Sequence, residues 1–294
     1  MEVDWHIPEL GRLGISSWTY PWAVGTVHDQ QPNKRLSPQD LVHKAAELRV
    51  QVLQIADNLP LSDLTSEQLE SLRESAGDCG IALQVGTRGI DQSHLLEYLL
   101  LAQQLDVKLI RSMGGRPGSA APLSVIEKNV RAVLPAFVDA GVYLALENYE
   151  AYSSSDLGRL VDVIANPSFG ICLDVTNSFA AWESVDQILK NLAPGTINVH
   201  LKDFAIERTN HLMGFVCLGR PIGKGKLPLE LILLRLIEFD RHPDLIVELW
   251  PPPADTLNDT VSLEKAWAEE SVNYLRNFLA NLRNQGRPHS IKLS

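Results

Sequence analysis

The chain of 294 residues is 45% hydrophobic and 21% charged. That balance excludes a mainly disordered protein, which needs low hydrophobicity with high net charge. A net charge of −10 argues against a nucleic-acid or membrane partner, since both call for a basic face. The length suits two domains of ~150 residues, or one α/β barrel of ~250 residues with extensions. Cys79, Cys172 and Cys217 lie far apart with no CxxC pair, which points to a reducing, cytoplasmic setting. The first residues lack a basic start with an apolar stretch behind it, and no run approaches the ~18 apolar residues of a membrane span.

In chain order, β-rich runs fall at 13–18, 50–56, 81–86, 107–112, 142–147, 169–174, 197–202 and 245–250. Helical patterns alternate with them at 38–48, 65–77, 91–104, 122–139, 155–164, 183–192, 227–239 and 261–283. Ser37 before Pro38 reads as an N-cap with proline at the first helical position. Gly80 and Gly141 stand where helices should stop. Pro135 predicts a kink or break in the fourth helix. Strands separated by helices imply parallel βαβ units, and eight of them predict a single-domain (β/α)8 TIM barrel over 1–294, with its core at about 12–280. No GxGxxG follows the first strand, so a doubly wound dinucleotide fold is not indicated. About ten residues at each end, including 285–294, read as tails.

Chemistry in such a barrel sits at the C-terminal ends of its strands. Four consecutive predicted strands end in ionisable groups: Glu147 (ALENYE), Asp174 (ICLDVTN), His200 (NVHLKD) and Glu248 (IVELW). Three carboxylates and an imidazole in one mouth repel each other unless a cation joins them. Oxygen ligands with one imidazole predict a single divalent metal ion, Mn²⁺, Mg²⁺ or Co²⁺. The bland alternative is four separately hydrogen-bonded core polars.

These segments, with GISSWTYPW near the start and GRPIGKGKLP at 219–228, resemble the sugar isomerase/epimerase group of the xylose isomerase-like TIM-barrel superfamily. The resemblance spans roughly residues 12–280, and its most specific part is the Glu–Asp–His–Glu order with spacings of 27, 26 and 48. It implies Glu147, Asp174, His200 and Glu248 as ligands of one divalent metal. Some epimerases of the group carry a histidine where this chain has Asn177 and an arginine where it has Ile206. The HLKD segment resembles the inosose dehydratase branch. The three-metal endonuclease branch is disfavoured by ligand count and charge.

An ion on a carbonyl and its neighbouring hydroxyl acidifies the intervening C–H. Glu147 and Glu248 then read as the catalytic pair that removes and returns a proton, giving isomerisation or epimerisation of a sugar or keto-sugar. Lys202, two residues past His200 on the same strand face, reads as an acid. With a leaving hydroxyl, the same start gives a dehydratase or lyase. A non-catalytic sugar-binding subunit on the same scaffold is a further alternative. Arg111, Asn177, Trp18 and Trp250 are predicted substrate-binding residues. Gln54, Asp57 and Asn58 either line the mouth or build a turn. Arg220 or Lys224 in the glycine-rich loop would reach an anionic group if that loop covered the site. The apolar stretch HLMGFVCLG predicts burial, and a homo-oligomer is plausible from it. Cys172 reads as a structural thiol. The histidines other than His200 read as structural or solvated.

Overall fold

Strand β1 (Leu13–Ser16) pairs in parallel with β2 (Val52–Ile55) on one side and with β10 (Asp244–Val247) on the other. Between them run β3 (Ala82–Arg88), β4 (Leu109–Met113), β5 (Tyr143–Glu147), β6 (Phe169–Asp174) and β7 (Thr196–Leu201), closing an eight-stranded parallel barrel in the order β1-β10-β7-β6-β5-β4-β3-β2. The computed structural model describes residues 11–26, 32, 34–115, 119–211 and 213–284. The expected tails at both ends, and with them His6 and His289, lie outside those residues, as does His28. The helices are α1 (Pro21–Val24), α2 (Pro38–Glu47), α3 (Ser66–Asp78), α4 (Gln92–Gln104), α5 (Leu123–Ala140), α6 (Ser154–Ile164), α7 (Val185–Leu192), α8 (Leu229–Glu238) and α9 (Leu257–Asn284). Among the described residues no helix is long and apolar enough to cross a membrane.

Local chemistry sets the element ends. Ser37 Oγ accepts the Asp40 N–H while Asp40 accepts the Ser37 N–H, a reciprocal box that starts α2 with Pro38 in its first turn. Gly141 ends α5 at φ 64°, a backbone state that costs glycine little. Helix α5 runs on through Pro135, so of the kink or break expected there the break does not occur. One face of that helix buries Ile126, Val130, Val133, Leu134 and Phe137, and this packing outweighs the single backbone bond that a proline removes.

The main core is the sheath between strands and helices, and it holds most of the large apolar side chains. The barrel interior is different. Its separate apolar cluster is small, with Leu109, Ala145 and Cys172 packed against Ile197. Gln54 donates to Asn198 at 3.2 Å. Strands β2 and β7 are not neighbours in the barrel, so that bond crosses the interior. Buried amides thus stand where branched aliphatic side chains usually fill such barrels.

After β7 the sequence suggests an irregular, buried stretch. The structure has instead an antiparallel hairpin, β8 (Asp203–Arg208) with β9 (Phe215–Arg220). Its tip is exposed, with Met213 79% and Phe215 63% accessible. The apolar composition misled because a two-stranded ribbon packs on the barrel only at its base, where Phe204 and Gly219 are buried.

The long helix α9 is tied to the start of the barrel by Glu264, which is fully buried and accepts the backbone N–H groups of Trp22 at 2.8 Å and Ala23 at 3.0 Å. Burial pushes the Glu264 carboxyl from its ordinary 4.5 up to about 8, against the two hydrogen bonds that favour its charged form. A carboxyl whose folded pKa is raised holds a proton in the folded state that the unfolded chain has lost. Its contribution to stability is therefore complete below about 4.5 and declines as pH rises through about 8. Melting curves between these limits should show wild type falling relative to Glu264→Gln as pH rises. Parallel curves would rule this linkage out.

Candidate active site

Glu147 and Asp174 are the last residues of β5 and β6, His200 lies in β7, and Glu248 follows β10 directly. Parallel register sets Asp174 beside His200, and with Ile246 also beside His200 it leaves Glu248 two residues further along toward the barrel mouth. One ligand atom from each of Glu147, Asp174, His200 and Glu248 lies within 4.8 Å of every other. All four are buried. His200 Nδ1 stands 3.5 Å from Glu147 Oε1 and 3.3 Å from Glu248 Oε1. His200 Nδ1 is buried without a hydrogen bond, and Glu147 Oε2 and Asp174 Oδ2 meet only ion-pair partners, Arg111 and Lys202. Three buried carboxylates around such a nitrogen are costly unless cations join them. The donor set of three carboxylates and one imidazole therefore fits a divalent ion of the Mn²⁺, Mg²⁺ or Co²⁺ type. Cys172 also lies within ligand range of Glu147 and His200, but burial pushes its thiol up, and it contacts Asn198, as a structural thiol would.

Two cations border the cluster. Lys202 Nζ lies 2.8 Å from Asp174 Oδ2 and 2.9 Å from Glu248 Oε2. Arg111, nearly all buried, pairs with Glu147 and reaches Asp57 Oδ1 at 2.8 Å. Burial works to raise the Glu147 carboxyl, but Arg111 and then His200 overcome it and hold it well below the usual carboxylate range. At Asp174 burial wins, helped by Glu147 and Glu248, and its carboxyl sits above the ordinary value although Lys202 opposes this. Glu248 is held below its ordinary value, because His200 and Lys202 outweigh burial. Burial likewise disfavours the Lys202 charge, yet Asp174 and Glu248 keep its pKa above the usual lysine range.

Asn177 stands among them. Its Nδ2 donates to Glu147 Oε1 at 2.9 Å and its backbone N–H to Asp174 Oδ1 at 3.0 Å, while its Oδ1 accepts from Lys202 at 3.4 Å. Trp18, half-buried, lies against Asp57 with Nε1 at 3.4 Å. Beside it opens a cavity of about 740 Å³, walled by Trp18, Arg35, Asp57, Arg88, His94 and Tyr98 among others. Arg88 holds Asp57 Oδ2 at 3.1 Å, so a chain of ion pairs joins this cavity to the ligand cluster. His94 thus lines the cavity as well as meeting Thr87. Trp250 packs over Gly219 at the base of the hairpin, where a Cβ would lie 2.6 Å from its backbone oxygen.

Gln54 is neither in the mouth nor in a turn. It lies inside the barrel beneath His200, with Oε1 2.8 Å from His200 Nε2. Asn58 ties the β1 and β2 loops together through Ser17 and Thr26. The glycine-rich loop does not bring its cations to the site. Arg220 pairs with Glu207 on the hairpin, and Lys224 pairs with Glu270 on α9 at 3.2 Å. The loop is fastened by Asp203, which accepts backbone N–H groups from Phe204, Gly223, Gly225 and Leu227 at 2.8–2.9 Å. Asp203→Ala strands those donors, and chemical denaturation should show a loss of ~3 kcal/mol or more. A change under ~1 kcal/mol would mean that water takes over the clamp.

A closed parallel barrel with a buried carboxylate–imidazole cluster at the strand ends defines an enzyme-type (β/α)8 scaffold. The family model of the xylose isomerase-like TIM barrel matches residues 89–278. The chain is also 35% identical over 275 residues to 3-oxo-isoapionate decarboxylase of Pectobacterium atrosepticum, covering 92% of this chain and 97% of that protein. The protein belongs to the xylose isomerase-like TIM barrel family. Among solved structures, D-psicose 3-epimerase with D-tagatose from Clostridium cellulolyticum H10 is similar at 16% identity and a TM-score of 0.69, over 91% of this chain and 99% of that one. A xylose isomerase-like TIM barrel protein from Mycobacterium smegmatis in complex with magnesium is similar at 13% identity and a TM-score of 0.63, over 90% and 98% of the two chains. At these identities the two structures speak to the fold alone.

Proposed function

We propose that this chain is a divalent-metal-dependent enzyme of keto-sugar chemistry, and that it decarboxylates a sugar acid whose keto group lies β to the carboxylate. The observation that carries the choice is the pairing of both site glutamates with cations, Glu147 with Arg111 and Glu248 with Lys202. Carboxylates held below their usual range are weak bases. Loss of CO₂ needs no base, only an electron sink and then a proton donor. The 35% similarity to a decarboxylase over nearly the whole chain supports the same reading.

A divalent ion held by Glu147, Asp174, His200 and Glu248 would supply the electron sink by polarising the substrate carbonyl. The C–C bond to the carboxylate breaks, and its electron pair passes to the adjoining carbonyl as an enolate. Lys202, charged and beside the cluster, delivers a proton to the carbon that lost CO₂ and recovers one from water. Asn177 orients Lys202 and Glu147 together. Arg88 and Arg35 in the cavity wall suit a substrate that carries negative charge. Trp18 offers an aromatic face to the sugar chain.

The epimerase or isomerase reading has its own support. Glu147 and Glu248 approach His200 Nδ1 from two different strands, β5 and the end of β10, which offers two carboxylates for a two-base proton transfer. Dehydration of a keto-sugar would use Lys202 at the leaving hydroxyl instead. A screen of 3-keto sugar acids, ketohexoses and inososes in D₂O, with Mn²⁺ and with EDTA, separates the three. CO₂ release with one deuteron in the product, dependent on the ion, is the expected result. Deuterium in a recovered ketose without CO₂ would replace the proposal with epimerisation, and loss of water with dehydration.

A further inference from the structure

Inside the barrel, three buried amides form a hydrogen-bonded chain with one direction. Asp244 at the opposite mouth is held by Arg12 through two contacts, Nε to Oδ1 at 3.0 Å and Nη2 to Oδ2 at 2.8 Å. A carboxylate in that state only accepts. It therefore takes the Nε2–H of Gln84, at 2.8 Å. The Gln84 Oε1 must then face inward, where it accepts from Gln54 Nε2 at 3.0 Å and from Asn198 Nδ2 at 3.1 Å. With its NH₂ so committed, Gln54 turns its Oε1 to His200 Nε2 at 2.8 Å. An oxygen there requires a proton on Nε2, which leaves Nδ1 facing the carboxylates.

We infer that this chain of amides, with its direction set by Asp244, fixes which nitrogen of His200 is offered to the ligand cluster. Gln54 is thus a positioning residue, and Asp244 acts on the site from the far end of the barrel. Reversing any one amide would set NH₂ against NH₂ or oxygen against oxygen along the chain, so the orientation holds as a unit. This explains why Gln54, Gln84 and Asn198, all at most 3% exposed, replace aliphatic filling. The inference rests on the proposed reading of His200 as a metal ligand only for its consequence, the affinity for the ion.

The test uses the full chain labelled with ¹⁵N-histidine, with His200→Gln to assign the signals. In the wild type, His200 should show one slowly exchanging Nε2–H, and Zn²⁺ should move the Nδ1 signal. Gln54→Leu should lose that protected proton and bind Mn²⁺ ~10–100-fold more weakly, the usual cost of losing a partner behind a metal-bound histidine. Asp244→Asn can donate as well as accept, so it should give a second His200 form and weaker Mn²⁺ binding by calorimetry. That variant is nearly isosteric and lies at the far mouth, which keeps the test open should Gln54→Leu fold poorly. Wild-type histidine signals and wild-type Mn²⁺ affinity in both variants would overturn the inference. A wild type that shows the expected Nε2–H but binds no ion would keep the orientation and remove the metal reading.

Discussion

Asp174→Asn is expected to leave the ion-free protein at least as stable as wild type while abolishing the stabilisation that a divalent ion provides. Asp174 is fully buried, and burial together with Glu147 and Glu248 disfavours its charge. Removing that charge relieves repulsion, and Lys202 keeps Glu248 at 2.9 Å as a partner. In the wild type, an ion at ~100 times its dissociation constant adds ~2.7 kcal/mol, a rise of ~5 °C for a chain of this size. Removal of a ligand costs more than the ~10–100-fold in affinity that an outer partner contributes, so the rise vanishes in the variant. Thermal melts with EDTA and with excess Mn²⁺ measure both quantities. A variant that keeps the ion-induced rise would take Asp174 out of the ligand set. Equal wild-type melts under the two conditions would remove the metal reading.

Lys202→Met is expected to show the opposite pattern. Without an ion it strips the cation from Asp174 and Glu248, two buried carboxylates. Breaking a buried pair in that way costs ~3–5 kcal/mol. A divalent ion restores the charge balance, so the variant's melting temperature should depend on Mn²⁺ more steeply than that of wild type. Turnover should remain low even when the variant is saturated with the ion, by ~10²–10⁴-fold, the range for loss of a positioned acid. Lys202→Arg tells charge from proton transfer. Its guanidinium restores stability without the ion but does not give up a proton, so turnover stays low. Full turnover in Lys202→Met would assign the proton delivery elsewhere and leave Lys202 a structural cation.

The eight barrel strands were legible because each is a short, mostly apolar run between helical patterns, and 169–174 was read to the residue. The ligand cluster was legible for a related reason. A charged residue that ends an apolar strand has nowhere to go but the barrel mouth, and four in succession meet there. The hairpin of β8 and β9 was not legible, because FVCLG reads as core although only its base is covered. The site of Arg220 and Lys224 was equally hidden. Nothing in GRPIGKGKLP says that Asp203, sixteen residues before its start, would turn the loop toward α9. Gln54 carried a signal that went unused. It alternates with Val52 in VLQI just as Gln84 does with Ala82 in ALQV, and Asn198 precedes His200 by two residues. Strand parity alone places all three on the inward face.

The two halves of the barrel divide the work. The stretch matched by the family model, 89–278, carries every residue of the ligand cluster together with Arg111, Asn177 and Lys202. The large cavity draws most of its wall from before that stretch, from Trp18 through Arg88. The ligand cluster and the cavity wall are therefore drawn from different stretches of the chain, joined by the pairing of Asp57 with Arg111. Exchanging the loops that follow β1, β2 and β3 would replace most of the cavity wall, and only a graft that keeps Asp57 preserves the pairing through Arg111 to Glu147.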